Sequence, residues 1–232
     1  LNPKSDIFQK IILMIESKPW KWEIVDKNDK HWNTPANDMY FLLNSWKQKG
    51  FKTFLDVGCG FGRNSIFMAK NGFEVSGFDL SDLSIKITEK KAEEQGVEFK
   101  KLVVSDMLNF PFENDSFDCI LALNVISHTN IKGFKQILNE IKRVLKSGGE
   151  VYFTVGSKDS YWFTNPICTY VDECTRIRVE DGPENGIPHF YINDEDCQTL
   201  FNDFTIISIK YVRDITQNGG NSPHYFVWLK NQ

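Results

Sequence analysis

Short apolar runs alternate with amphipathic stretches along most of this chain, most regularly between Phe51 and Val155. Residues 53–57 read as a buried strand and 64–71 as a helix. A strand over 74–78 and a helix over 81–95 follow, with Ser81 suited to the N-cap. Further strands are expected at 98–104 and at 117–123, the second preceded by turn-forming residues 113–116. A helix over 132–145, closed by Ser147-Gly148-Gly149, leads to a strand over 150–155.

Upstream, apolar residues at helical spacing predict a helix over 6–17. A polar, Trp-rich section (Trp20, Trp22, His31, Trp32) ends at Thr34-Pro35, and a helix is expected over 37–48. Beyond Val155 the rhythm breaks, and 156–193, rich in Tyr, Pro and polar residues, reads as no regular βα unit. A helix over 194–201 and strands over 204–212 and 224–229 close the chain, the strands joined by a polar stretch at 214–223. The pattern predicts an α/β domain with a mostly parallel sheet and helices on both faces, ending in an antiparallel hairpin. One domain is expected: an N-terminal helical cap (1–50), a core (51–155), an insert (156–193) and a C-terminal helix and hairpin (194–232).

Composition changes this picture little. The 232 residues, 41% hydrophobic and 25% charged, suffice for one sizeable core without disulfide or metal support. The net charge of -4 and the lack of a strongly basic face argue against nucleic acid as partner. Five cysteines without a C-x-x-C pair fit reduced thiols in a cytoplasmic protein, and no metal site is expected. The longest N-terminal apolar run, 11–15, is too short to span a bilayer and lacks the pattern of a signal peptide. Nothing in the pattern sets an oligomeric state.

The candidate chemistry sits where the first strand meets its helix. Asp56-Val57-Gly58-Cys59-Gly60-Phe61-Gly62-Arg63 is a glycine loop of the form D-x-G-x-G-x-G. Glycines there let the backbone turn tightly and approach a ligand. A nicotinamide-dinucleotide loop would carry its third glycine at position 63, which here is Arg. Asp79 ends the second strand about twenty residues beyond the loop, where a carboxylate can accept both hydroxyls of a ribose. Ser105-Asp106-Met107 ends the third strand, where a carboxylate can accept from an adenine amino group. Asp118 opens the fourth strand as a structural cap, and Asn124-Val125-Ile126-Ser127-His128 ends it.

These residues resemble the class I S-adenosylmethionine-dependent methyltransferases, in the small-molecule branch of ubiquinone/menaquinone-biosynthesis and tellurite-resistance type enzymes. The resemblance is specific from Thr53 to Val155 and looser from Trp32 onward. It implies a Rossmann-like, mostly parallel seven-stranded sheet with an antiparallel C-terminal hairpin. It implies S-adenosylmethionine as cofactor, S-adenosylhomocysteine as product and a small molecule as methyl acceptor. The loop of Asp56, Gly58, Cys59, Gly60 and Gly62, with Arg63 and Asn64, would wrap the methionine portion. Asp79, with Leu80 and Ser81, would hold the ribose; Ser105, Asp106 and Met107 would meet the adenine. The sulfonium could rest against the Asn124 carbonyl, Val125 beside it, or the rings of Trp32 or Phe61.

A base is needed only where the acceptor carries a proton. His128 and His189 are the catalytic candidates, each open to a substrate-shaping role instead. Tyr161, Tyr191 and His224 are candidates for lining the acceptor pocket, which the insert would cover. Residues 124–127 lack the prolines and aromatic of exocyclic base-amine methylation, and Asn124 stands where metal-assisted catechol transfer needs a carboxylate. The alternatives are a non-catalytic S-adenosylmethionine-binding regulatory subunit, a nicotinamide oxidoreductase, and a nucleic-acid or protein methyltransferase.

Overall fold

The computed structural model describes residues 17–179, 181–213 and 222–232. Helix α1 (Asp38–Gln48) leads into strand β1 (Thr53–Val57), then α2 (Arg63–Lys70), β2 (Glu74–Asp79), α3 (Asp82–Glu94) and β3 (Lys101–Val104). Strand β4 (Phe117–Ala122), α4 (Ile131–Val144) and β5 (Leu145–Ser157) complete the alternation. Residues 6–16 of the helix expected over 6–17, and most of the 214–223 connection, lie outside the described residues.

The five strands pair in parallel in the order β3-β2-β1-β4-β5. Beyond β5 the sheet continues antiparallel through β10 (His224–Asn231) to β9 (Phe204–Val212), the expected C-terminal hairpin. The sheet is covered on both faces, and side chains alternate between two cores. Leu55, Val57, Ile120, Ala122, Val151 and Phe153 pack toward α4 and α6 (Asp194–Leu200). Phe54, Cys119, Leu121 and Tyr152 pack toward α1, where Met39, Leu42 and Trp46 are fully buried.

Local chemistry sets the helix ends. Asn130 caps α4 by accepting from Lys132 N and Gly133 N, and the buried face of α4 repeats at Phe134, Ile137, Leu138, Ile141 and Val144. Asn193 and Asp196 form a reciprocal capping box on α6. Asp118 is structural, as expected: its Oδ2 accepts from Lys52 N, Thr53 N and Thr53 Oγ1, joining β4 to the start of β1.

Three stretches differ from the sequence reading. Strand β3 begins at Lys101, three residues later than expected. Strand β5 begins at Leu145, before the glycines, because Leu145 already pairs with Phe117 across a register shift. Segment 156–193 carries regular elements: α5 (Tyr161–Thr164), β6 (Thr169–Asp172), β7 (Thr175–Ile177) and β8 (Pro188–Ile192). Strands β6, β7 and β8 form an antiparallel ribbon, and β8 pairs in parallel with Gly156 and Ser157 beyond the end of β4. The ribbon therefore stands over the carboxyl ends of the parallel strands.

Candidate active site

The chain leaves β1 through three glycines in left-handed backbone conformations, Gly58 (φ 64°), Gly60 (φ 53°) and Gly62 (φ 76°). A Cβ on Gly58 would overlap Val125, and one on Gly60 would lie 2.8 Å from the indole of Trp22. The cradle thus depends on the lack of side chains. Neighbours fix it: Cys59 N donates to Phe78 O at 3.0 Å, and Thr88 Oγ1 donates to Gly60 O at 2.8 Å. Asp79, closing β2, accepts Gly60 N on Oδ2 at 3.0 Å and Ser81 N on Oδ1 at 2.9 Å.

Asp56 is buried in β1 and accepts from Ser65 Oγ at 2.5 Å. Burial pushes its carboxyl up to about 7, against the lowering effects of the Ser65 hydroxyl and Arg63. Burial likewise raises Asp79, opposed by the amides of Ser81 and Gly60. Two carboxyls that burial shifts in this way favour a ligand bringing positive charge or hydroxyl donors.

A cavity of about 320 Å³ opens above this loop. One end is lined by Asp79, Leu80, Ser105, Asp106 and Met107. Asp106 Oδ1 accepts Leu108 N at 2.8 Å and Ser17 Oγ at 2.9 Å, so it forms a local turn and also anchors the N-terminal segment. That segment brings Trp20, Trp22 and Trp32 over the loop, their rings 4.8–5.3 Å apart and edge-on. Trp22 also contacts Phe61 at 4.4 Å.

Residues after β4 and from the ribbon build the other end. Asn124 takes a positive φ of 55°; its N–H donates to Thr154 Oγ1 at 2.7 Å, and the same hydroxyl donates to Asn124 Oδ1. His128, His189, Tyr191, His224, Arg178 and Glu184 line this end. Burial and then Arg178 lower His128 to about 4; burial and then His128 hold His189 well below the usual histidine range. Both imidazoles are neutral near pH 7. The N-terminal segment meets the ribbon loop through Lys21 N donating to Pro183 O at 3.2 Å, closing the cavity from above.

Most residues singled out in the sequence therefore share one cavity, including Trp32, Asp56, Cys59, Arg63, Asn64, Val125 and His224. Gly62 and Ser81 support it from outside, capping α2 and α3. Tyr161 does not reach the cavity; it lies on α5, 53% exposed. His31 also stays outside, its carbonyl accepting from Arg63 Nη1 at 2.7 Å. Glu184 and Arg178 were not singled out. Their only signal is a pair of opposite charges in a Tyr- and Pro-rich segment.

A parallel sheet with a glycine loop after β1 and carboxylates after β2 and β3 defines a Rossmann-like domain for a nucleoside cofactor. The methyltransferase domain family matches residues 54–149. A methyltransferase-like protein of Geobacillus sp. is 34% identical over 168 residues, covering 66% of each chain. The sarcosine/dimethylglycine N-methyltransferase of Aphanothece halophytica is 34% identical over 102 residues, 43% of this chain and 36% of that one. Among solved structures, the Burkholderia thailandensis 1,6-didemethyltoxoflavin-N1-methyltransferase shares the fold with a TM-score of 0.64. It is 14% identical and covers 100% of this chain and 92% of its own. This chain belongs to the class I S-adenosylmethionine-dependent methyltransferases, a family of enzymes named for its cofactor. It spans 66% or less of the length of the curated relatives it matches. Among the described residues no helix is long and apolar enough to cross a membrane.

The site fits that cofactor. The glycine cradle leaves room a Cβ would fill, the buried Asp56 suits an ammonium group, and Asp79 and Asp106 suit ribose and adenine donors.

Proposed function

We propose that this chain transfers a methyl group from S-adenosylmethionine to a small molecule bound under the β6–β8 ribbon, leaving S-adenosylhomocysteine. The observation that carries the reading is the continuity of one cavity from the glycine loop to the His128–His189 end. Relatives that methylate small molecules, such as sarcosine/dimethylglycine, support the acceptor class.

Bound S-adenosylmethionine supplies a methyl group activated by its sulfonium. Gly58, Gly60 and Asp56 would hold the amino-acid end, Asp79 the ribose, and Asp106 with Met107 the adenine. The Trp20–Trp22–Trp32 group and the ribbon exclude water and hold the reactants in line, an effect worth up to roughly 7–11 kcal/mol. The Asn124 carbonyl, Trp32 and Phe61 are the groups suited to a sulfonium. His128 and His189 set neutral imidazoles at the acceptor end of the cavity, where they help to place the acceptor; their lowered basicity makes them weak general bases at neutral pH. Tyr191 and His224 shape the acceptor's place. The cysteines form no disulfide among the described residues, which suits a reducing compartment, and we assign the chain to the cytoplasm.

The test is thermal stability with S-adenosylmethionine, S-adenosylhomocysteine, NAD and NADP, each at about a hundredfold excess over its dissociation constant, followed by an acceptor screen. Binding at that excess adds about 2.7 kcal/mol, or roughly 5–10 °C at about 2–4 °C per kcal/mol. A rise with the S-adenosyl ligands alone supports the reading. No rise with them, or a rise with NAD alone, overturns it.

A further inference from the structure

At the ribbon end of the cavity, His128, Glu184 and His189 each offer a ligand atom, and the three atoms lie within 4.8 Å of one another. Glu184 Oε1 stands 3.6 Å from each imidazole nitrogen, and the three side chains are 13%, 19% and 9% exposed. The tautomer of His189 is fixed. Its Nδ1 lies 3.0 Å from the Ile187 carbonyl, which can only accept, so Nδ1 carries the hydrogen and Nε2 the lone pair. That Nε2 is buried and makes no hydrogen bond. Arg178 pairs with Glu184 Oε2, which leaves Oε1 facing the imidazoles.

The arrangement is built into the backbone. Phe190 N donates to Ser127 O at 2.7 Å, one residue from each histidine, and holds the two rings 4.7 Å apart. A lone pair of fixed direction, a carboxylate oxygen and a second imidazole nitrogen converge, and nothing among the described residues donates to His189 Nε2 between them. Such a set calls for a cation.

We propose that His128, Glu184 and His189 bind a divalent transition-metal ion of the zinc type, with open coordination positions toward the cavity for an oxygen, nitrogen or sulfur atom of the acceptor. Tetrahedral zinc with bonds of about 2.1 Å places its ligand atoms about 3.4 Å apart, close to the 3.6 Å of both histidine–glutamate pairs. Two imidazoles and one carboxylate favour zinc and its neighbours over calcium or magnesium, which prefer all-oxygen shells. The Ile187 carbonyl on His189 Nδ1–H is the outer partner a metal-bound histidine needs. The sequence pattern, without a cysteine pair, had led to the expectation of no metal; these ligands come together only through the fold. The metal's service to the acceptor rests on the proposed methyl transfer, whereas its binding does not.

The experiment titrates chelator-treated full-length protein with Zn²⁺ by calorimetry and with Co²⁺ by visible absorption, without S-adenosyl ligand. One equivalent of Zn²⁺ is expected, with a Co²⁺ spectrum free of thiolate charge-transfer bands. Glu184→Gln and His189→Ala should each weaken Zn²⁺ binding tenfold or more, while Cys174→Ser should leave it unchanged. A cooperative thermal melt without added ligand shows that each variant is folded. Substoichiometric Zn²⁺ uptake by the wild type, a thiolate-type Co²⁺ spectrum, or undiminished binding in folded triad variants would overturn the site. Because S-adenosyl binding is measured separately, failure of the metal site leaves the methyltransferase reading standing, and the reverse holds too.

Discussion

Asp79 and Gly60 are joined by a 3.0 Å hydrogen bond from the loop amide to the carboxylate, so the acid at the end of β2 also holds the glycine loop in shape. The nucleoside-binding role expected of Asp79 and this architectural role fall on one side chain, whose second oxygen accepts from Ser81 N.

Replacing that carboxylate separates the two duties. Asp79→Asn keeps one accepting oxygen for two amides, so either Gly60 N or Ser81 N loses its partner. An unsatisfied buried amide costs about 1–3 kcal/mol. The variant should lose that much stability in urea unfolding and bind S-adenosylhomocysteine at least tenfold more weakly by calorimetry. Full stability with weakened binding would mean that the loop does not depend on Asp79 for its shape.

The contact between Gly60 and Trp22 makes a second prediction. Gly60→Ala meets two penalties: the left-handed backbone, about 1–2 kcal/mol for an L-residue, and the clash with the Trp22 indole at 2.8 Å. Trp22→Ala removes only the clash. The two substitutions together should therefore weaken cofactor binding by less than the product of their separate effects, as a double-mutant cycle reads. Additive effects would mean that Trp22 moves aside freely and is no fixed roof of the loop.

The legible parts of this protein are those with local causes. Strand β1 is a short run of residues buried from Phe54 to Val57, Asp56 included, and its bounds, 53–57, match the expected ones. The start of α3 follows from the Ser81 cap, and the left-handed glycines follow from the D-x-G-x-G-x-G order of the loop. The ribbon escaped because β6, β7 and β8 are strands of three to five residues, and Thr169 and Tyr170 face solvent, which erases the alternation. His128 and His189 were legible singly as candidates. Their convergence with Glu184 was not, because it arises from β8 pairing beyond the end of β4 and from the Phe190–Ser127 backbone bond. Tyr161 was expected in the pocket on the strength of its segment, but α5 turns it outward.

Asp118 carries the pH dependence that is clearest in sign. Burial pushes its carboxyl up, but the Lys146 ammonium at 2.9 Å, the Thr53 and Lys52 amides and the Thr53 hydroxyl outweigh that and hold it at about 2, against 3.8 ordinarily. A carboxyl lowered on folding stabilises the native state above its unfolded value, and the gain is lost as pH falls through the folded one. Asp118→Asn should therefore melt below the wild type at neutral pH. The gap should stay constant down to about pH 4 and then narrow toward pH 2, followed by thermal melts of both proteins across that range. The position lies at the amino ends of β1 and β4, opposite the cavity mouth, so S-adenosylhomocysteine affinity should not change while the protein is folded. A gap that closes already between pH 6 and 5 would trace to a different group. A gap that persists unchanged toward pH 2 would mean that the bonds to Lys52 and Thr53 do not require the ionised carboxylate.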